Sequence, residues 1–167
     1  MNREPTLAAV IFLAASVLAT SSLSAQDKAA AGESAIGAKW AAAWNSHTAD
    51  TMVAAFTDEV YYEDVAFGEV SHGTAELRKF ATDEWAGVSD LQLKVVRASV
   101  HGGHGTIEWT FSGTDKGVFN TGKKFTVRGV SVVDVRGGKI SRCLDYYDAA
   151  TIMKQVGALP AAPAEAK

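Results

Sequence analysis

Apolar residues recur at every second position in the second half of the chain, in four runs separated by turns that contain glycine. The runs cover residues 91–100, 106–114, 124–135 and 139–147. A period of two is the repeat of a β-strand, in which successive side chains point to opposite faces of the sheet. The segments HGGHG, TDKGVFNTG and RGG supply glycines at the reversals, as hairpin connections require. This half therefore predicts four consecutive antiparallel strands.

The first half of the folded region has the period of helices. Three groups of apolar residues recur at helical spacing: Ile36, Trp40, Ala43 and Trp44; Met52, Val53 and Phe56; Leu77, Phe80, Ala81 and Trp85. Ser34, Thr48 or Asp50, and Thr74 are suited to begin these helices. Residues 60–65 predict a short strand, and AFGEVSHG after it a loop. Helices followed by an antiparallel sheet predict an α+β domain whose helices cover one face of the sheet.

The amino terminus has the features of a secretory signal peptide. Arg3 precedes an apolar block at residues 7–19, which is too short for a membrane span, and small residues follow. We expect cleavage after Ser24 or Ala25, and a secreted or periplasmic protein that contacts a membrane only if the signal stays uncleaved. The predicted organisation is a signal peptide at 1–25 and a linker at 26–33, followed by one domain at 34–157 and an Ala/Pro tail at 158–167.

Composition excludes several functions. A net charge of −3 over 167 residues provides no broad attraction to nucleic acid. One cysteine, Cys143, cannot form an intrachain disulfide and is expected as a small buried residue. His101 and His104 lie in a glycine turn without a third ligand nearby, so we expect no metal site. The chain also lacks a phosphate-binding glycine loop and a Ser-His-Asp arrangement, and we expect no cofactor.

The segment GGKISRCLDYYDA, residues 137–149, carries the strongest candidate for chemistry. If it forms one strand, Cys143, Asp145 and Tyr147 share a face. Burial of a carboxylate raises its pKa towards the range useful for proton transfer at neutral pH. Asp145 is therefore either an acid/base group in a pocket or one half of an ion pair with Arg128 or Arg142.

A second carboxylate comes from the short strand VYYEDV. Tyr62 and Asp64 are two residues apart and share a face, so Asp64 could divide acid and base roles with Asp145. The alternative is an exposed acidic end of the strand. His72, in the following loop, is a candidate acid/base or ligand contact near the same site.

Two long segments resemble the SnoaL-like branch of the nuclear transport factor 2-like (NTF2-like) superfamily. They are WAAAWNSHTADTMVAAFTDEVYYEDVAFGEVSHG and SGTDKGVFNTGKKFTVRGVSVVDVRGGKISRCLDYYDAATIMKQVG. The superfamily includes ketosteroid isomerases, polyketide cyclases and limonene epoxide hydrolases. The resemblance implies a cone-shaped, curved antiparallel (mixed-edge) β-sheet wrapped around N-terminal helices, with an apolar pocket inside. It also implies a homodimer.

The resemblance extends to individual positions. The last-strand aspartate of the cyclases and epoxide hydrolases matches Asp145, and the tyrosine and asparagine that hold the attacking water in the epoxide hydrolases match Tyr62 and Asp64. Their arginine and second aspartate fall on Trp109 and Phe111. Because both polar groups are replaced, the charge-assisted opening of epoxides is not supported, and the pocket becomes more apolar.

The resulting functional hypothesis is a cofactor-free acid/base enzyme of the isomerase, cyclase or hydrolase type that acts on a small hydrophobic substrate. The predicted catalytic residues are Asp145, Asp64 and Tyr62, and the predicted ligand-binding residues are Trp109, Phe111, Tyr147, Trp85, His72 and Phe80. The alternative is a non-catalytic module that binds a small hydrophobic molecule or a protein partner.

Overall fold

The structure is a computed structural model that describes residues 35–159. Its elements in chain order are α1 (Ile36–Asn45), α2 (Ala49–Ala54), β1 (Phe56–Asp64), β2 (Glu69–His72), α3 (Gly73–Gly87), β3 (Gln92–His101), β4 (His104–Thr114), β5 (Lys124–Arg136), β6 (Lys139–Tyr147) and α4 (Ala149–Val156). The predicted signal peptide, the linker, the Ser34 cap and residues 160–167 of the tail lie outside the described residues. No helix within 35–159 has the length and apolar character needed to span a membrane.

The six strands form one sheet in the order β2-β1-β6-β5-β4-β3. Strands β3 to β6 pair antiparallel with their neighbours in sequence, as the glycine turns predict. Strand β1 pairs parallel to β6, which makes the sheet mixed and places Tyr62 beside Cys143 and Asp64 beside Asp145. The predicted α+β class with a curved, mixed-edge sheet is confirmed.

Two predictions near β1 were wrong in detail. Phe56 was assigned to the apolar stripe of the second helix, but it begins β1 and is fully buried. The predicted loop AFGEVSHG contains β2, which pairs antiparallel with the end of β1. Gly68 has a φ of +71°, a backbone conformation that suits glycine and allows the tight reversal. The start of β1 and the whole of β2 form strand because they pair with neighbouring strands, and their own apolar periodicity does not indicate it.

The helices pack on the sheet closely enough to bury a core of aromatic and aliphatic side chains. Helix α1 lies against β3, and α3 against β1. A Cβ atom at Gly37 would come within 2.6 Å of the Cβ of Ala98, so only glycine permits the observed approach of α1 to β3. The indole Nε1 of Trp85 donates to the carbonyl oxygen of Trp44 at 3.0 Å and ties α3 to α1. Trp44 also lines a small cavity between the helices and the sheet, which is described below.

Candidate functional site

A small cavity lies between the helices and the sheet. It is lined by Trp40, Trp44, Tyr62, Asp64, Phe80, Glu84, Leu91, Leu93, Trp109, Phe111, Asp145 and Tyr147. Seven of these side chains are aromatic and three are carboxylic acids, whereas lysine, arginine and histidine are absent from this lining. The space that the centre of a water molecule can reach is about 40 Å³. Without side-chain movement, the cavity accommodates a small molecule rather than a fused-ring polyketide.

Asp145 lies in this cavity and is held by donors from three side chains. The Tyr62 hydroxyl donates to Oδ2. The Ser131 hydroxyl donates to Oδ1 at 2.6 Å, and the Cys143 thiol approaches the same oxygen at 3.4 Å. Ser131 in turn accepts a hydrogen bond from Trp109 Nε1 at 2.8 Å. The alternative of an ion pair with an arginine was wrong, because these partners are neutral.

Burial raises the pKa of Asp145 to about 6. The hydrogen bonds from Ser131 and Tyr62 lower the pKa because they favour the charged form, and the nearby charge of Asp64 raises it. Burial is the largest of these effects. At neutral pH the carboxylate is therefore mostly ionised and can accept a proton without a large free-energy cost.

Asp64 is buried rather than exposed at the end of its strand. Its Oδ2 accepts a hydrogen bond from the Tyr147 hydroxyl at 2.6 Å. Its Oδ1 accepts hydrogen bonds from the backbone N–H groups of Ala66 and Phe67 at 3.0 and 3.2 Å. Burial raises its pKa, and these hydrogen bonds oppose the rise. Asp64 thus anchors the chain after β1 as well as facing the cavity.

The two tyrosines act as hydrogen-bond donors to the two aspartates. The pKa of Tyr62 lies well above its usual value, because the phenol is buried beside Asp145. Burial and the charge of Asp64 raise the pKa of Tyr147 as well. Both phenols therefore keep their protons at neutral pH. The parallel pairing of β1 with β6 brings the two tyrosine–aspartate pairs together.

Among the predicted ligand-binding residues, Phe80, Trp109, Phe111 and Tyr147 line the cavity. Trp85 packs behind it, where its ring stacks on His47 at 5.6 Å and its N–H bonds to the Trp44 carbonyl. His72 is exposed, and its ring contacts Tyr61 at 5.3 Å. Successive residues of a strand face opposite sides. Tyr61 therefore lies on the opposite face from Tyr62. His72, which pairs with Tyr61, lies on that face too and does not line the cavity.

Glu84 is a lining residue that the sequence analysis did not identify. It lies on α3 four residues after Phe80, and this spacing places both on one side of the helix. Burial first, and then the charges of Asp64, Glu69 and Asp83, raise its pKa to about 7. The spacing of four residues from Phe80 was the sequence signal that could have identified Glu84 as a lining residue. Ser131 was missed too, since nothing in its strand pattern distinguishes it.

Trp40 and Trp44, from the apolar stripe predicted for the first helix, line the cavity. Both indole Nε1 atoms are buried and have no hydrogen-bond partner among residues 35–159. The same part of the chain contains no group of three or more His, Cys, Asp or Glu side chains placed to hold a metal ion. The site therefore offers carboxylates, phenols and indole N–H groups for chemistry.

Comparison with known families identifies the class of protein. The model of the SnoaL-like polyketide cyclase family matches residues 35–156, and the chain belongs to this family. The predicted resemblance to the SnoaL-like branch of the NTF2-like superfamily is thereby confirmed. A comparison with curated proteins gave no match.

Several solved structures share the fold. One is a hypothetical protein from Catenulispora acidiphila with a ketosteroid isomerase-like fold, in complex with trimethylamine; it is 27% identical, with a TM-score of 0.69, over 75% of this chain and 93% of that one. TsrD from Streptomyces laurentii is 24% identical, with a TM-score of 0.67, over 77% and 97% of the two chains. An epoxide hydrolase from M. tuberculosis, resembling limonene epoxide hydrolase, is 20% identical, with a TM-score of 0.63, over 76% and 90%. The latter two show the fold alone.

Proposed function

We propose that this protein is a cofactor-free acid/base enzyme that moves a proton on a small hydrophobic substrate, in a reaction of the isomerase, cyclase or hydrolase type. The observation that supports this function best is the position of Asp145, a buried carboxyl group facing a largely aromatic cavity. Its pKa of about 6 makes both protonation states accessible near neutral pH. Family membership supports the same reaction types, since cyclases and epoxide hydrolases share the fold.

The surroundings of Asp145 support one cycle of proton transfer. The ionised carboxylate removes a proton from the substrate, and the resulting carboxylic acid returns a proton to a different atom. Tyr62 and Ser131 hold the two oxygens in place during both steps. A positioned acid/base group of this kind contributes roughly 10²–10⁴-fold to a rate. Asp64 and Tyr147 complete the polar side of the cavity.

A comparison of two variants tests this function. We expect Asp145→Asn to lower kcat/KM by at least about 10²-fold on a panel of small enones, epoxides and lactones, because the amide cannot accept the proton. Asp83→Asn is the matched control, since Asp83 is an exposed residue of α3 that pairs with Lys79. Equal rates for Asp145→Asn and the wild-type protein would contradict the proposal.

A non-catalytic binding protein for a small amine is the second candidate. The relative from Catenulispora acidiphila was solved in complex with trimethylamine. In the present chain, three carboxyl groups and seven aromatic rings line the cavity, a combination that can bind an ammonium ion through charge and cation–π contacts. Calorimetry with trimethylammonium tests this candidate. Binding in the absence of any turnover on the panel would favour it over the enzyme.

We also propose that the protein is exported after cleavage within residues 24–26 and that it forms a homodimer through its sheet. The apolar block at residues 7–19 supports export. Mass spectrometry of the exported fraction tests the cleavage, and an intact N-terminus there would contradict it. Sedimentation equilibrium tests the homodimer. A monomer at micromolar protein concentration would contradict it.

A further inference from the structure

A second cavity adjoins the cavity at Asp145, which is called the first cavity below. The apolar side chains that line only the second cavity are Phe67, Val88, Val118, Phe119, Phe125 and Ile152. Glu84, Phe111 and Tyr147 line both cavities, so no more than these side chains separate the two. Each cavity offers the centre of a water molecule about 40 Å³ of space. A ligand that passes these shared side chains can occupy both cavities.

The second cavity exposes apolar surface to solvent. Phe67 is 41% exposed and Val118 is 65% exposed. Large apolar side chains that are exposed together, rather than singly, are typical of a binding surface. An apolar group that fills this cavity would remove part of both side chains from water.

The loop that carries Val118 is held in shape by a buried carboxylate. Asp115 accepts hydrogen bonds from the N–H groups of Phe119 at 3.2 Å and Thr121 at 2.8 Å, and from the Thr121 hydroxyl at 2.8 Å. The N–H of Lys116 donates to the carbonyl oxygen of Gly87 at 2.8 Å, which ties the loop to the end of α3. This wall of the second cavity is therefore formed before any ligand binds.

The opposite wall is fixed in the same way. Asp64 accepts hydrogen bonds from the N–H groups of Ala66 and Phe67, and the Phe67 ring lies 6.2 Å from the ring of Tyr147. Tyr147 in turn donates to Asp64 at 2.6 Å. A preformed apolar site binds its ligand more tightly because less conformational entropy is lost on binding.

Glu84 is the shared residue that can bind a polar head group. Among residues 35–159 its carboxyl group accepts no hydrogen bond and forms no ion pair. Asp64 and Asp145, by contrast, each have three donors. Burial and then the charge of Asp64 raise the pKa of Glu84, and after burial and Asp64 the charge of Glu84 raises the pKa of Tyr147. The Glu84 carboxyl group therefore lies near the polar side of the first cavity.

The charges around the two cavities favour a cation. Asp64, Glu84 and Asp145 line the first cavity, and Glu84 and Asp115 line the second. Neither lining contains a lysine, arginine or histidine from residues 35–159. A ligand with a carboxylate head would be repelled. An ammonium group can instead donate to Glu84 and make cation–π contacts with the aromatic rings.

We propose that the second cavity binds the hydrocarbon chain of a primary alkylamine, whose ammonium group lies in the first cavity and donates hydrogen bonds to Glu84. The chain passes from one cavity to the other beside Phe111 and Tyr147. This inference rests on the proposed role of the first cavity as the ligand site, and it does not require turnover of the ligand.

Calorimetry with methyl-, propyl- and hexylammonium chloride tests the site for the chain. At pH 8 the Glu84 carboxyl group, with its pKa of about 7, is mostly ionised. Burial of one methylene group strengthens binding about fourfold. We therefore expect hexylammonium to bind at least about tenfold more tightly than propylammonium. An affinity that does not depend on chain length would overturn the inference.

Methyl signals of ¹³C-labelled protein report the position of the chain. We expect hexylammonium to shift the signals of Val88, Val118 and Ile152, which line the second cavity, and methylammonium to shift none of the three. Val96, an exposed residue of β3 that lines neither cavity, is the internal control. Tight binding of hexylammonium without shifts at these three residues would place the chain elsewhere and overturn the inference.

Val118→Ser removes apolar surface from the second cavity at an exposed position. We expect its affinity for hexylammonium to fall about fourfold, the effect of one methylene group returned to water, with its affinity for methylammonium unchanged. Val96→Ser is the matched control, because Val96 is 64% exposed and Val118 is 65% exposed. Equal effects of the two variants would contradict a specific contact at Val118.

Glu84→Gln tests the position of the head group. We expect the affinities for methyl- and hexylammonium to fall by the same factor, at least about tenfold, because each loses a hydrogen bond to a charged acceptor. 1-Hexanol has a chain of the same length without the charge and should bind the wild-type protein at least about tenfold more weakly than hexylammonium. Unchanged binding in Glu84→Gln, or equal binding of 1-hexanol, would overturn the inference.

These results are distinguishable from failure of the proposed function. Binding of trimethylammonium without any gain from a longer chain would leave the first cavity as the ligand site and overturn only the role of the second. Equal turnover by Asp145→Asn and the wild-type protein would contradict the enzyme and leave the affinities for alkylammonium ions unaffected. If no ammonium ion binds, the inference is wrong.

Discussion

Asp145 is buried among aromatic side chains and yet accepts hydrogen bonds from three donors. Burial raises its pKa, and the donors limit the rise because each stabilises the ionised form. The balance leaves a carboxyl group that titrates at about 6 in a fixed orientation. Fixed orientation matters for proton transfer, since the reacting atoms must lie within hydrogen-bond reach.

Tyr62→Phe tests this balance at the level of one residue. The change removes the donor to Asp145 Oδ2, so we expect the pKa of Asp145 to rise further. A higher pKa means less ionised base at a given acidic pH. The acidic limb of the pH–rate profile should therefore move to higher pH, which kcat/KM measured between pH 4 and 8 will show.

The adjacent tyrosine is the matched control for this change. Tyr61 lies on the opposite face of β1 and donates to Glu63. Tyr61→Phe should leave the acidic limb where it is in the wild-type protein. If the acidic limb of the pH–rate profile stays in place in Tyr62→Phe, or moves equally in both variants, Tyr62 does not control the pKa of Asp145.

At the scale of elements, the position of the cavity depends on how closely α1 approaches β3. Gly37 makes this approach possible, since a Cβ there would lie 2.6 Å from the Cβ of Ala98. Real Cβ atoms do not come this close, so a side chain at position 37 must push the helix away from the strand. Trp40 and Trp44 follow on the same helix and would move with it.

Gly37→Ala should therefore destabilise the protein. We expect the free energy of unfolding to fall by about 1–3 kcal/mol, the usual cost of overpacking, in spite of the better helix propensity of alanine. Urea denaturation followed by tryptophan fluorescence measures the change.

Ala98→Gly provides the compensating change. In the double variant the clashing methyl group is gone, so we expect most of the loss caused by Gly37→Ala to be recovered. Additive losses in the double variant would show that contact between these two positions does not limit the helix–sheet distance.

At the scale of the whole molecule, the buried Asp145 and the half-buried Glu84 link stability to pH. The pKa values of Asp145 and Glu84 are raised to about 6 and about 7, above the ordinary values of 3.8 and 4.5. Between these limits the folded protein binds more protons than the unfolded chain. The free energy of unfolding therefore falls as pH rises from about 4 to about 7.

Glu84→Gln should flatten this dependence, because glutamine does not titrate. We expect the variant and the wild-type protein to have similar stability near pH 4, and the variant to be more stable at pH 7. Urea denaturation at intervals of one pH unit measures both curves. Glu59→Gln, at an exposed position of β1, is the control, and an equal flattening there would contradict a special role for Glu84.

Local periodicity was sufficient to predict most elements. Strand β6 has the predicted bounds, and β3 to β5 differ from theirs by one or two residues at their ends. The repeats of 3.6 and 2 residues are properties of neighbouring side chains and can be read without a partner. The start of β1 and the whole of β2 could not be predicted in this way, since these residues become strand by pairing with other parts of the sheet.

The sequence by itself determined the order of α1 to α3 and of the strands other than β2, the α+β class and the set of candidate residues Asp145, Asp64 and Tyr62. Alternation placed Asp145 on a face with Tyr147, but it could not say which face is covered by helices. Only the tertiary structure decided that, because the parallel pairing of β1 with β6 lets Tyr62 donate to Asp145, which is 83 residues away in the chain. The same packing places Glu84 in the cavity, which locally only its spacing from Phe80 indicated, and it leaves the Trp44 N–H without an acceptor among residues 35–159, which no local pattern indicates.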